Sequence, residues 1–349
     1  MTGNFTNATL KQLSAHQVGN KTDGSIIVSK NPLEIDDEEL RAYLLKNFTM
    51  PFANTEDFAF TSANDDPMVN PMYQYISSAF ASPGSLHINS INIAKHLFDI
   101  SVHPNIKTGD LLVALFENVQ VAGSPTNVIG IFKCETKSNF VNIEYTKTQS
   151  SSITHQLGLS LEKLDKGCLI YDIEKEDGYR VSIVDKSGKS QDAFYWTELF
   201  LKVRSVATNF SFTKSVLDAT KTFVTEKMAD EFEMSKADQI DILNRSAKYF
   251  KEKEEFSSKE FESEILESPD VIQSFRKFRR EYETEHNAPF EDNFEIEQGA
   301  VKKYSKVFKS VLKLDKNFHI YIHGDRDLIE RGQEKDGRKY YKIYYKDES

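Results

Sequence analysis

Hydrophobic positions recur along the chain with two periods, and the changes of period divide it. Between residues 36 and 100 the spacing is helical. Leu40, Leu44 and Phe48 lie a turn apart, behind Asp36 as a cap and ahead of Pro51. Met72, Tyr75, Ile76 and Phe80 make a second stripe. Ile91, Ala94, Lys95 and Phe98 make a third, after the break at Ser82-Pro83-Gly84. Upstream, residues 5–30 read as an opening strand pair, and 54–68, with Asn64-Asp65-Asp66-Pro67, as an exposed loop. At His103-Pro104-Asn105 the pattern changes to that of strands, predicted at 111–116, 128–132, 140–145, 168–173 and 179–184. Asp177-Gly178 is the expected tight hairpin between the last two. Turn-sized gaps imply an antiparallel sheet. Trp196, with Tyr195, Leu199, Phe200 and Leu201 around it, reads as core.

From about Phe212 the helical period returns on a highly charged chain. Ser235 and Asp238 form a capping box ahead of Ile240, Leu243, Ala247 and Phe250. Ser257-Ser258-Lys259-Glu260 gives the same signal for the next helix. Pro269 opens a third, with Ile272, Phe275, Phe278 and Tyr282 on one stripe. The second half of the stretch 300–324 then alternates in two short runs about the turn Asp315-Lys316-Asn317 and predicts a β-hairpin. Phe308, Leu312, Leu314, Phe318, Ile320 and Ile322 are its expected buried side. Val307, Lys309, Val311, Lys313, His319, Tyr321 and His323 are its expected outer side. Tyr340, Lys342, Tyr344 and Lys346 repeat the scheme further on. The fold expected is α+β: N-terminal helices with an antiparallel sheet over residues 1–205, then over 206–349 a helical segment and a C-terminal β-hairpin piece.

Charge sharpens this division. Residues 301–349 hold 13 Lys and Arg against 8 Asp and Glu, whereas the whole chain of 349 residues holds 44 against 54. An acidic total does not exclude phosphate binding, because the local field is felt only within about 8 Å at physiological salt. Lys302, Lys303, Lys306, Lys309, Lys313 and Lys316 are therefore the candidate DNA-binding set, with Arg276, Lys277 and Arg280 as a second cluster that could extend it. The competing reading of that cluster is a solvated helix face paired with Glu281, Glu283 and Glu285. A hydrophobic fraction of 39% argues for a folded chain. The two cysteines, Cys134 and Cys168, make neither a disulfide framework nor a zinc site. A cytoplasmic home is expected from these cysteines, the absence of a membrane-length apolar run and a polar N-terminus without a signal-peptide core.

Catalytic patterns are thin. No phosphate-binding GxxxxGK[ST], dinucleotide GxGxxG or GxSxG elbow is present. His319, His323, Asp325 and Asp327 could suggest a metal-dependent nuclease, but histidines four apart on a strand lie roughly 13 Å apart. His16, His87, His96, His103, His155 and His286 are scattered and read as structural or exposed. No enzymatic role, cofactor or metal is expected.

Several segments resemble the bacterial thirty-seven-kilodalton nucleoid-associated protein family: INIAKHLFDISVHPNIKTGDLLVALFENV (91–119), IGIFKCETK (129–137), LDKGCLIYDIEKEDGYRVSIVD (164–185), AFYWTELFLKV (193–203), DEFEMSKADQIDILNRSAKYFKEKEEF (230–256) and VFKSVLKLDKNFHIYIHGDRDLIERG (307–332). The resemblance implies a cytoplasmic protein that associates with chromosomal DNA and has no established enzymatic role; it assigns no residue a role. The expected partner is DNA, with duplex the leading form, and no membrane. A homodimer would double the basic track. The alternative is an acidic protein–protein adaptor for a DNA-processing partner.

Overall fold

A computed structural model of the chain describes residues 3–145, 151–161, 164–186, 195–232, 234–286, 288–305, 308, 311–322 and 328–347. They divide into two units, Met1–Arg204 and Ser205–Ser349. The first is built on an eight-stranded sheet. In chain order it runs β1 (Thr9–Val18), β2 (Ile26–Val28), α1 (Glu38–Thr49), β3 (Asp57–Phe60), α2 (Pro71–Ala81), α3 (Leu86–Ile100), β4 (Gly109–Val121), β5 (Ser124–Cys134), β6 (Lys137–Tyr145), β7 (Ser151–Leu159), β8 (Lys166–Tyr171), β9 (Arg180–Asp185) and β10 (Val203–Ser205). The sheet order is β10-β3-β9-β8-β5-β4-β1-β2, and β6 with β7 forms a separate two-stranded ribbon.

Strand geometry accounts for the long apolar runs at the centre of this sheet. Leu111, Val113 and Leu115 of β4, with Ile129 and Ile131 of β5 and Cys168 and Ile170 of β8, face α2 and α3. Leu112, Ala114 and Phe116 alternate with them, and with Phe132 and Leu169 they meet Phe48 and Phe52 on the other side. Side chains change face at every residue, so a sheet covered on both faces must be apolar throughout. Trp196 is fully buried against α3's side of the sheet, as its sequence neighbourhood predicts.

The second unit runs α4 (Asn209–Thr222), α5 (Met228–Glu231), α6 (Lys236–Glu252), β11 (Glu255–Ser257), α7 (Ser258–Phe261), α8 (Pro269–His286), β12 (Asn293–Glu295), α9 (Gln298–Tyr304), β13 (Val311–Leu314), β14 (Phe318–Tyr321), β15 (Ile329–Gln333) and β16 (Lys339–Ile343). Its main core is aromatic, with Phe223, Phe250, Phe256, Phe261 and Phe275 in mutual contact. The capping box at Ser235 and Asp238 forms as expected. Beyond it, Ala237 and Ile240 of α6 hold a satellite core with Leu312, Ile322 and Ile329. Asn244 Nδ2 adds a hydrogen bond of 3.0 Å to the Ile322 carbonyl.

Several expectations are corrected. Residues 54–68 are not all loop, because Asp57–Phe60 form β3 and pair with β9. A four-residue strand between turn formers is too short for its period to show. Asp37, not Asp36, caps α1. Ser257 stands at the start of α7 without a side-chain capping bond. Asp177-Gly178 lie in the β8–β9 turn, but the connection spans residues 172–179 and is not a two-residue hairpin. β13 and β14 pair about Asp315-Lys316-Asn317 as expected, with Leu314 opposite Phe318. Phe318, however, is 62% exposed. It sits on the apolar side by register but at the turn end of the hairpin, past the small core that Leu312 and Ile322 fill.

Glycine is required at the β8–β9 turn. Gly178 has φ +98°, and a Cβ there would lie 2.2 Å from the Phe60 carbonyl oxygen. Gly123 in the β4–β5 turn has φ +82° but faces open space. Gly123→Ala should therefore cost about 1 kcal/mol, the left-handed penalty alone, and Gly178→Ala at least about twice that. Denaturant titrations check the order; equal costs would refute it.

Candidate nucleic-acid interface

The arginine cluster on α8 is built into a charge-compensated cleft. Residues 205–300 hold 13 Lys and Arg against 22 Asp and Glu, so cations there are surrounded by carboxylates. A cleft of about 610 Å³ is lined by Arg276, Arg279 and Arg280, but also by Glu262, Glu283 and Asp292. Arg276 grips Glu262 with two bonds, Nε to Oε1 at 2.9 Å and Nη2 to Oε2 at 2.6 Å. Arg279 Nη1 donates to Asp292 Oδ1 at 2.8 Å and to Ser258 Oγ at 3.1 Å, and holds the Asp292 carboxyl below the usual carboxylate range. Lys277 lies 3.9 Å from Glu281. Arg280 differs: its Nε donates to the Arg276 carbonyl, and no carboxylate pairs with it among the described residues. The sequence supplies the local pairing with Glu281 but not the partners Glu262 and Asp292, which are brought in by folding.

The lysines further on are placed differently. Lys302 and Lys303 are exposed in the last turn of α9, where positive charge meets the negative end of the helix. Lys303 Nζ also lies 5.4 Å from the Tyr304 ring centre. Lys313 is exposed in mid-strand directly opposite His319, and Val311 pairs with Tyr321 on the same face. Lys316 is exposed in the turn. Among the described residues no carboxylate pairs with Lys302, Lys313 or Lys316. Lys306 and Lys309 lie outside the described residues. The expected alternation thus puts Lys313, His319 and Tyr321 on one open face, with Tyr321 66% exposed.

The β15–β16 hairpin adds a similar surface. Tyr340 and Lys342 share a face, Lys342 Nζ lies 5.7 Å from the Tyr344 ring, and Glu330 stands across the pair at 3.6 Å. Gly332 lets the Tyr340 ring lie over its backbone, since a Cβ there would meet the ring at 2.2 Å. Sequence reading missed β15; the alternation of Ile329 with its polar neighbours was its only signal.

The family model described as nucleoid-associated protein YejK matches residues 14–349. The chain belongs to this family. The match runs through both units, so the acidic sheet unit and the lysine-bearing hairpins are parts of one family architecture. No match is found among curated proteins. No helix among the described residues of this YejK-family chain is long and apolar enough to cross a membrane.

Folding brings His16 and Ser90 together in the first unit, but the polarity of this pair is wrong for nucleophile activation. The Ser29 amide donates to His16 Nδ1 at 3.2 Å, so Nε2 carries the proton and donates to Ser90 Oγ, 2.8 Å away. Ser90 in turn donates to the His87 carbonyl at 2.7 Å. A general base must accept the serine proton, and here the ring donates. Lys133 and Lys166, opposed across β5 and β8, are buried beside the Tyr195 ring and held by Glu135 and Asp185 at 2.8 Å each. Burial pushes the Lys133 ammonium below its ordinary value. Burial likewise pushes the Cys134 thiol up to about 12, away from reactive thiolate. Among the described residues no cluster of three metal-ligating side chains occurs. His323, Asp325 and Asp327 lie outside them.

Two outcomes follow from these pairings. Arg276→Ala strands the buried Glu262 carboxylate and should lower the melting temperature, whereas Arg280→Ala should leave it unchanged; equal melting curves would refute the assignment. Burial and then His87 push His16 down to about 4 from 6.5. The unfolded chain therefore binds more protons between these values, and this group's contribution to stability is lost as pH falls from about 6.5 toward 4. His16→Gln should flatten that part of the stability–pH curve, measured by denaturation.

Proposed function

We propose that the chain acts in the bacterial nucleoid, in the cytoplasm, by binding DNA largely without reading its sequence. Membership of a nucleoid-associated family supports the role. The observation that carries the site is the set of exposed lysines Lys302, Lys313 and Lys316, which meet no carboxylate among the described residues, with His319 and Tyr321 on the strand face of Lys313. Lysines of this kind neutralise phosphates and release counterions, which fixes position on the duplex and carries no base information. Lys306 and Lys309 belong to the same sequence stretch and are proposed as further contacts. Arg280 is the proposed contact from α8. Arg276 and Lys277 contribute less, because their charge already meets Glu262 and Glu281.

Reversing Lys302, Lys313 and Lys316 to glutamate should weaken binding to all duplex sequences alike. Each phosphate contact contributes about 0.9 to the slope of log affinity against log salt, so the slope should flatten by about two to three units. Exposed substitutions typically change stability by no more than about 0.5 kcal/mol, so the melting curve should be nearly unchanged. An unaltered affinity and slope in the folded variant would overturn the placement.

A further inference from the structure

The two C-terminal hairpins each turn one side to the satellite core and leave the other open. On β15 and β16 the core side carries Ile329 opposite Ile343 and Arg331 opposite Tyr341. The open side carries Gly332 opposite Tyr340 and Glu330 opposite Lys342. The Tyr344 amide donates to the Leu328 carbonyl at 2.8 Å, so the ladder runs one residue past β16. Tyr344 therefore shares the side of Tyr340 and Lys342. On β13 and β14 the open side carries Val311 opposite Tyr321 and Lys313 opposite His319. Tyrosine rings thus stand among lysines on both hairpins, with Tyr321 66% exposed, Tyr344 44% and Tyr340 40%.

These rings are set as flat platforms beside cations. The Tyr340 ring lies on the Gly332 backbone, where a Cβ would meet Cζ at 2.2 Å, so its outer face is the one turned to solvent. Lys342 Nζ is held 5.7 Å from the Tyr344 ring centre, with Glu330 at 3.6 Å. Residues 338–346 hold four Lys and Arg and no acid, so charge selects a polyanion as the occupant. Phosphates, however, need only the lysines. A tyrosine ring gains most from the flat face of a base, and in a duplex those faces are already covered by stacking.

We propose that these tyrosines stack on unpaired bases, so that the surface takes melted or single-stranded DNA in preference to paired duplex. This preference rests on the lysine reading above, to which it adds the form of DNA. Spacing agrees with it. Residues on one side of a strand lie about 7 Å apart, twice the about 3.4 Å between stacked bases. A nucleic-acid strand that follows Tyr340, Lys342 and Tyr344 is therefore one drawn out of its own stack. Every base has such a face, so stacking keeps the binding blind to sequence.

The test is binding of the full chain, across a salt series, to a paired duplex and to the same duplex with a central mismatched bubble. Both probes carry the same charge, so a difference between them reads access to the bases. The bubble should bind at least about tenfold more tightly, the gain from one stacked base. Tyr321→Ala combined with Tyr344→Ala should remove that gain. Paired-duplex affinity and both salt slopes should stay as they were, because no phosphate contact is lost. Tyr321→Phe combined with Tyr344→Phe should keep the gain, since the ring and not the hydroxyl stacks. Reversing Lys302, Lys313 and Lys316 should instead flatten the slope on both probes. Equal affinity for bubble and duplex, or a bubble preference that survives the alanine pair, overturns the stacking and leaves the lysine reading standing. A chain that binds neither probe overturns both. Tighter binding of single-stranded RNA than of single-stranded DNA of the same sequence overturns DNA as the ligand.

Discussion

Helix α6 is amphipathic on two sides, and the candidate interface depends on that. Ile242, Leu243 and Phe250 look into the aromatic core of the second unit, while Ala237 and Ile240 look outward to Leu312, Ile322 and Ile329. The two C-terminal hairpins have two strands each, and an isolated hairpin is marginal in water. Their shape therefore comes from that second stripe and from the bond of Asn244 to Ile322. A strand held by one face frees the other, and on β13 and β14 the free face carries Lys313, His319 and Tyr321. The small size of the satellite core also explains the exposed ring of Phe318 at the turn.

Electrostatics separates the two basic clusters that look equivalent in sequence. Arginines on α8 stand in an acidic segment, and folding delivers Glu262 and Asp292 to them. Arg276 meets a largely buried carboxylate in a two-bond fork, a geometry that fixes the helix against α7's extension. Lysines in the basic tail find no such partners among the described residues at Lys302, Lys313 and Lys316. The denser cluster is thus the less available one.

What was legible followed period and local chemistry. The capping box at Ser235, Pro269 at the start of α8, the hairpin at Asp315-Lys316-Asn317 and the central strands all declare themselves within a few residues. What was not legible depends on residues distant in sequence. β3 exists because β9 accepts it, through Phe58 beside Val181 and Arg180 reaching Asp57 at 3.5 Å. The pairing of Arg276 with Glu262 spans 14 residues and leaves no periodic trace. β7 escaped because Ser151, Ser152, Thr154 and Gln156 dilute its apolar residues, and only pairing with β6 shows that they share a face.

A sequence-blind phosphate surface has to draw its strength from the number of its contacts. Each lysine–phosphate contact is weak singly and weakens further with salt. A cation already held by a carboxylate must give up that pair before it gains a phosphate, so it adds less than one without such a pair. Lys302, Lys313 and Lys316 meet no carboxylate among the described residues, whereas Arg276 and Lys277 meet Glu262 and Glu281. Cations on a segment whose own charge balance is positive therefore offer more attraction for phosphate per residue than the denser arginine cluster can.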